Sequence, residues 1–134
     1  MMRITIEEIK TAIEATGMQL IQRSYGNRDK NCGCPITIVA MYRNIKPKKT
    51  LGEIILAMED HSVKDIRSIF GEEMDLSYVH GFMDGFDQFS AYSREAFSNE
   101  DAFNAYQLGH NDGALAAQTL LPVAMLPQEE AVTC

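Results

Sequence analysis

The chain has 134 residues, of which 46% are hydrophobic and 23% charged, so it can bury a core as one domain and is not wholly disordered. Its net charge of −7 is unevenly spread: residues 1–67 carry 11 Lys and Arg against 8 Asp and Glu, whereas residues 68–134 carry only Arg94 against 11 acids. An acidic half of this kind repels phosphate backbones, so we expect no nucleic acid among the partners.

Hydropathy and cysteine content predict the compartment. No apolar run approaches the ~18–20 residues that a membrane span needs, so we expect no membrane association. The N-terminus reaches Glu7 and Glu8 before any apolar core of the signal-peptide type develops. Three cysteines, an odd number, fit a reducing compartment better than an oxidising one. These features predict an acidic cytoplasmic protein.

The first helix is predicted over residues 6–16. Thr5 and Glu8 form a capping box, in which the Thr oxygen accepts from the Glu8 amide and the Glu side chain reaches back. Apolar residues then recur at helical spacing as far as Gly17, where a C-terminal stop is expected.

The next stretch is less regular. Residues 18–25 alternate only in part and predict a short extended segment without a partner strand, and residues 26–33 are polar and predict a loop. A second helix is predicted to start at Cys34 and Pro35, because Pro is favoured at the first helical position, and to end before Pro47.

Capping patterns predict three further helices. Thr50 opens a second capping box, and Ser62 and Ser98 open weaker versions with Asp in place of Glu. The helix after Ser62 is predicted to stop at Gly71. The helix after Ser98 is the longest and is predicted to end at Pro122.

Together these elements predict an all-α protein. It should be a compact bundle of six to seven short-to-medium helices, with at most one short extended segment near 18–25. We expect a single domain over residues 1–126, because no internal linker is long enough to divide it. Residues 127–134 have no periodicity and predict a frayed tail.

The sequence contains one short internal repeat, and we call each of its two copies an echo. The pattern Y-x-x-G-x-x-D-G occurs twice, 28 residues apart, in segments that both predict helix. On a helical wheel the Tyr and the two Gly of each copy fall on one face. This face consists of Tyr78, Gly81, Gly85, Tyr106, Gly109 and Gly113.

A glycine inside a helix costs ~1 kcal/mol relative to Ala, so the four glycines should have a compensating role. Close approach of another helix is the favoured interpretation. The two copies could cross each other within the chain, or they could pair between chains and form a homo-oligomer. The remaining alternative is a ligand cleft bounded by the two aspartates.

Cys34 is the first candidate catalytic residue. At a helix N-terminus its sulfur would face unpaired amides and the positive end of the helix dipole, which favours the thiolate. Cys34 could then act as a nucleophile, with His80 or His110 as base. The alternatives are a buried, inert cysteine and, with Cys32, a zinc site.

Three aspartates form the second candidate site. Asp84 and Asp87 are three residues apart, and Asp112 faces them if the two echoes pack together in that way. Converging carboxylates could bind Mg²⁺. In this respect the pattern resembles helical-bundle nucleotide pyrophosphatases, which hold magnesium between acidic residues on facing helices, although their paired E-x-x-E motif is absent. The resemblance implies a Mg²⁺-dependent hydrolase.

The sequence leaves function, enzymatic activity and cofactor open. The leading hypothesis is a protein that acts by association, either with itself or with a protein partner, through the Gly- and Ala-lined helix faces. A thiol-dependent enzyme at Cys34 and a Mg²⁺-dependent hydrolase at Asp84, Asp87 and Asp112 are the alternatives.

Overall fold

The first helix begins at the residue that the sequence predicts, because its N-cap is formed by neighbouring residues. The computed structural model describes residues 2–27, 29–44, 49–60 and 62–121. Helix α1 spans Ile6–Thr16, and Thr5 Oγ1 accepts the Glu8 N–H at 3.1 Å. Gly17 ends the helix in the left-handed conformation, with φ +67°. The predicted helix is thereby confirmed, because each signal acts within a few residues of chain.

The next three helices also begin at their predicted caps. Helix α2 spans Pro35–Arg43, helix α3 spans Leu51–Asp60 and helix α4 spans Val63–Phe70. The capping box of α3 is complete, because Thr50 and Glu53 each accept the other's backbone N–H, both at 3.1 Å. Pro47, predicted to close the second helix, lies outside the described residues.

Two longer helices follow. Helix α5 spans Leu76–Phe86 behind the cap Asp75, and helix α6 spans Glu100–Leu120. The cap of α6 is Asn99, whose Oδ1 accepts the Ala102 N–H at 2.8 Å, one residue later than the predicted Ser98. The predicted stop at Pro122 and the predicted tail lie outside the described residues.

The prediction of an all-α fold is wrong in one respect. A three-stranded sheet follows α1, with strands β1 (Gln19–Leu20), β2 (Gly26–Asn27) and β3 (Cys32–Gly33). The strand order is β1-β3-β2, with β1 parallel and β2 antiparallel to β3. Strand β1 lies within the extended segment predicted at 18–25, but β2 and β3 both lie in the predicted loop at 26–33, where strands of two residues leave no alternation in the sequence. The described chain is therefore mostly helical, with six α-helices and this small sheet.

Helix α2 lies at the centre of the core. Its first six residues, 35–40, are all buried, so it is apolar almost all round, as a helix enclosed by other elements must be. It contacts α1, α3, α4 and β3. Only Cys34 separates β3 from α2 in the chain. The position of α2 therefore determines where the sheet and the loop beside it lie relative to the helices.

Helices α5 and α6 make the most extensive contact in the described chain, and they make it through the two echoes. Every glycine of the echo lies against the backbone of the other helix. A Cβ added at Gly81 or Gly85 would overlap the carbonyl oxygen of Tyr106 or His110. A Cβ at Gly109 or Gly113 would overlap that of Tyr78 or Phe82. Only glycine lets the two backbones come this close.

The two helices run in the same direction across this contact. Gly81 faces Tyr106 and His110, and Gly85, one turn later, faces His110 and Ala114. The echoes are thus related by a pseudo-twofold axis that runs along the helix pair. Their glycine faces are filled within one chain, so pairing with a second chain through them would require α5 and α6 to separate.

Gly113→Ala should destabilise the protein, although Ala normally stabilises a helix relative to Gly. The new Cβ would overlap the Phe82 carbonyl, and forcing the helices apart should lower the free energy of unfolding by about 2 kcal/mol or more. Urea unfolding monitored by circular dichroism measures the change. The control Gln107→Ala, at an exposed position of the same helix, should stay within about 0.5 kcal/mol of the parent. An unchanged or more stable Gly113→Ala protein would contradict the close contact.

Candidate functional site

The loop after β1 is fixed to the end of α5. The Gln22 side chain donates to the Phe86 carbonyl at 2.8 Å, and the Arg23 N–H donates to Asp87 Oδ1 at 2.8 Å. Arg23 has a φ of +63°, in the left-handed region that a non-glycine residue enters at a cost. Three of these groups belong to buried residues, so the loop is held as a rigid wall beside α5.

This wall, α3 and α5 enclose a groove. An inner cleft of about 320 Å³ and an outer cleft of about 540 Å³ share Ser24, Gly26, Ile55 and Glu59 and are therefore adjacent. We call the whole the acidic groove. It is lined by residues 23–27, Asp29, Gly52, Ile55, Leu56, Glu59, His80, Met83, Asp84, Asp87 and Phe89.

Negative charge dominates this lining. Among the lining residues that the structure describes, the carboxylates of Asp29, Glu59, Asp84 and Asp87 face one guanidinium, that of Arg23. Asp87 is 9% exposed, and burial raises its pKa to about 6, an effect that the Arg23 N–H partly offsets and the charge of Asp84 reinforces. At neutral pH the groove is therefore an anionic site with one carboxylate held at an energetic cost.

Asp84 lies at the inner end of the groove within a hydrogen-bond network. Tyr106 Oη donates to Asp84 Oδ2 at 2.7 Å, and His80 Nε2 lies 3.6 Å from the same oxygen. Tyr92 stacks on Tyr106, with ring centroids 5.5 Å apart. The carboxylate is thus positioned by a buried tyrosine, and its side chain keeps 15% of its surface exposed.

Asp112 is held in a different place. Tyr78 Oη donates to Asp112 Oδ2 at 2.6 Å, and the Arg3 guanidinium makes a two-pronged ion pair with the same carboxylate. Asp112 lines a separate pocket beside the N-terminus of α1. The pseudo-twofold axis explains this, because it carries the two echo aspartates to opposite sides of the helix pair.

The predicted magnesium site is therefore not assembled as expected. Asp84 and Asp87 share the acidic groove, whereas Asp112 does not line it. Among the described residues, no group of three or more His, Cys, Asp or Glu side chains is arranged to hold a metal ion. The sequence places all three aspartates on two facing helices, but it does not specify on which side of the pair each one emerges.

Cys34 occupies the predicted N-cap of α2, but its environment differs from the expected one. The residue is 4% exposed, and its sulfur makes a 3.4 Å hydrogen bond with Thr37 Oγ1. Burial raises the pKa of the thiol, the opposite direction from the predicted activation, because desolvation outweighs the hydrogen bonds to the anion. The proposed base His80 lies beside Asp84, and His110 Nε2 lies 2.8 Å from the Phe89 carbonyl oxygen.

Several groove residues are missed from the sequence. Arg23, Glu59 and Phe89 belong to three separate segments, and no local pattern indicates that they meet. Leu56 faces away from the buried positions of α3 and is 68% exposed, but a single exposed apolar side chain is common on protein surfaces and gave no signal from the sequence.

Comparison with protein-family models, curated proteins and solved structures finds no match to this chain. In the part of the chain that the structure describes, no helix combines the length and hydropathy needed to cross a membrane. The functional conclusion therefore rests on the geometry and charge of the acidic groove.

Asp87→Asn should raise the free energy of unfolding more at pH 7 than at pH 4. Since the pKa of Asp87 rises from 3.8 to about 6 on folding, the folded chain holds a proton in that window that the unfolded chain releases. Stability is consequently lost as the pH rises from 3.8 to 6, and Asn removes this loss while still accepting from Arg23. Urea unfolding of the parent protein and of Asp87→Asn at several pH values between 4 and 7 tests this prediction. A difference that does not vary with pH would contradict the assignment.

The Cys34 thiol should react slowly in the native protein. Iodoacetamide alkylation of the Cys34 peptide, followed by mass spectrometry at about pH 8, should be at least about tenfold slower than after unfolding in urea, because burial limits access and raises the thiol pKa. Equal rates in the native and unfolded protein would show that the thiol is accessible and would restore the nucleophile hypothesis.

Proposed function

We propose that this chain is a binding protein that holds a basic, partly apolar segment of a protein partner in the acidic groove. The proposal rests on the groove itself, two adjacent clefts whose described lining residues include four carboxylates and one guanidinium. The proposed function is still association with a partner, as predicted from the sequence. The proposed binding surface, however, is the acidic groove and not the glycine faces.

The charge of the groove selects for cations. A lysine or arginine side chain near Asp84 and Asp87 would gain Coulomb energy from both carboxylates and would relieve the repulsion that each exerts on the other. The glycine faces, by contrast, present no charge and are already filled by the contact of α5 with α6.

The rim of the groove adds apolar contacts. Leu56 is 68% exposed and Phe89 is 51% exposed, and both line the groove. Ile55 and Met83 continue this surface inwards. A segment that alternates basic and apolar residues would place its cations on the carboxylates and its apolar side chains on these residues.

Binding also accounts for features that do not favour catalysis. One wall of the groove is held by a buried hydrogen bond from Gln22 and a partly buried one from Arg23, which suits a preformed site. Cys34 does not line the groove, and its raised pKa does not suit a nucleophile. A cytoplasmic location would give access to protein partners and stays a prediction from the sequence.

Glu59→Lys should weaken binding of a basic peptide. The probe is acetyl-Gly-Leu-Lys-Lys-Leu-Gly-amide, titrated into ¹⁵N-labelled protein at low ionic strength. We expect shifts confined to amides of the acidic groove, and an affinity on the order of tenfold lower for Glu59→Lys, since one carboxylate of the lining becomes a cation.

The matched control is Glu14→Lys, at an exposed position of α1 outside the groove. It changes the net charge by the same amount and should leave the affinity within about twofold of the parent. Equal weakening by both variants would show that only overall charge matters, and absence of binding to the parent would remove the proposed function.

A further inference from the structure

The two sides of the α5–α6 pair carry the same hydrogen-bond network. Tyr78 donates to Asp112 at 2.6 Å, and Tyr106 donates to Asp84 at 2.7 Å, so each tyrosine of one echo binds the aspartate of the other. Both aspartate side chains keep 15% of their surface exposed. The pseudo-twofold axis therefore relates the two carboxylate environments as well as the glycines.

The symmetry extends to the segments that lie against the pair. The Ile4 N–H donates to Tyr78 Oη at 2.9 Å, and the Tyr92 N–H donates to Tyr106 Oη at 3.3 Å. In both segments the next residue is the hydroxyl-bearing N-cap of a helix: Thr5 for α1, and Ser93 for the 3₁₀ helix Arg94–Ala96. Residues 3–5 and 91–93 are thus equivalent.

The two sides differ in the group that stands beside the aspartate. His80 Nε2 lies 3.6 Å from Asp84 Oδ2, whereas the matching residue of the other echo is Leu108 and Arg3 pairs with Asp112 instead. Arg3, the residue before the backbone donor, places its Nη2 2.7 Å from Asp112 Oδ1 and its Nε 3.1 Å from Asp112 Oδ2. The residue before the other backbone donor, Tyr92, is Ala91, which has no side chain that could pair with a carboxylate. Asp84, unlike Asp112, lines the acidic groove. Arg3 thus pairs with Asp112 within the chain, whereas among the described residues no arginine pairs with Asp84.

We propose that Asp84 receives a guanidinium from the bound partner, so that the residue recognised at the inner end of the acidic groove is an arginine. The contact would reproduce the fork that Arg3 makes with Asp112. This inference rests on the proposed function and names the chemistry of its ligand. Lysine would serve less well, because an ammonium cannot pair with both carboxylate oxygens in one plane.

The surroundings of Asp84 suit this ligand. Phe89 lines the groove beside Asp84, and its ring already contacts one guanidinium, since Arg23 Cζ lies 6.0 Å from the ring centroid; a second guanidinium would use the rest of the exposed ring. The contacts of Asp84 with Tyr106 and with His80 both use Oδ2, as the tyrosine contact of Asp112 does. Arg23 opposes the incoming cation, and Asp87 and Glu59 offset it.

Two peptides that differ only in their cations test the inference. Acetyl-Gly-Leu-Arg-Arg-Leu-Gly-amide and its lysine counterpart are titrated into the full chain and followed by ¹⁵N chemical shifts. The parent protein should bind the arginine peptide at least about tenfold more tightly. Asp84→Asn, which can still accept from Tyr106, should bind both peptides with equal, lower affinity.

A second variant supplies the guanidinium from within the chain. Ala91→Arg should occupy Asp84 as Arg3 occupies Asp112, and should abolish the preference for arginine. Ser90→Arg, one residue earlier and also exposed, adds the same charge and should keep the preference.

The outcomes separate this inference from the proposed function. Equal binding of the two peptides by the parent, or an arginine preference that survives in Asp84→Asn, would overturn the guanidinium site and leave the basic-segment function standing. If neither peptide binds the parent protein, both proposals fall. Circular dichroism melting of each variant verifies that it is folded before its affinity is compared.

Discussion

The structure depends on the approach of two helix backbones at four glycines. A side chain at Gly81, Gly85, Gly109 or Gly113 would overlap a carbonyl oxygen of the facing helix, so the contact exists only because these positions lack a Cβ. Close approach brings each echo tyrosine within reach of the aspartate on the other helix. The glycines therefore determine where Asp84 and Asp112 lie, and with them the inner end of the acidic groove.

The two copies of the motif have different flanking residues, so their aspartates have different neighbours. On one side, Arg3 completes the network and ties the N-terminal segment to α6 through Asp112. On the other side, Ala91 takes the equivalent position, and the loop at Arg23 and the exposed Leu56 border the resulting space. The same arrangement of tyrosine and aspartate thus serves as a structural link once and as a candidate recognition element once.

The helices were predictable because their signals are local. Thr5, Thr50 and Ser62 each act on an amide within three residues, so no knowledge of the fold is required. The extended segment predicted at 18–25 contains the strand at 19–20, but the strands at 26–27 and 32–33 were not predicted, since two residues carry no periodicity and strand pairing is non-local. For the same reason the echo predicted a close helix contact but not its direction, and it therefore did not reveal that Asp112 lies away from Asp84. The burial of Cys34 also depends on packing beyond its own helix.

An isotope-filtered NOE experiment tests the central claim, that the two echoes pack against each other within one chain. Uniformly labelled protein should show NOEs between Gly81 Hα and protons of Tyr106, and between Gly113 Hα and protons of Phe82, as their backbone contacts require. In a sample refolded from an equal mixture of labelled and unlabelled chains, the filtered spectrum should lack them. Appearance of these NOEs in the filtered spectrum would show that the glycine faces pair between chains and would contradict the account.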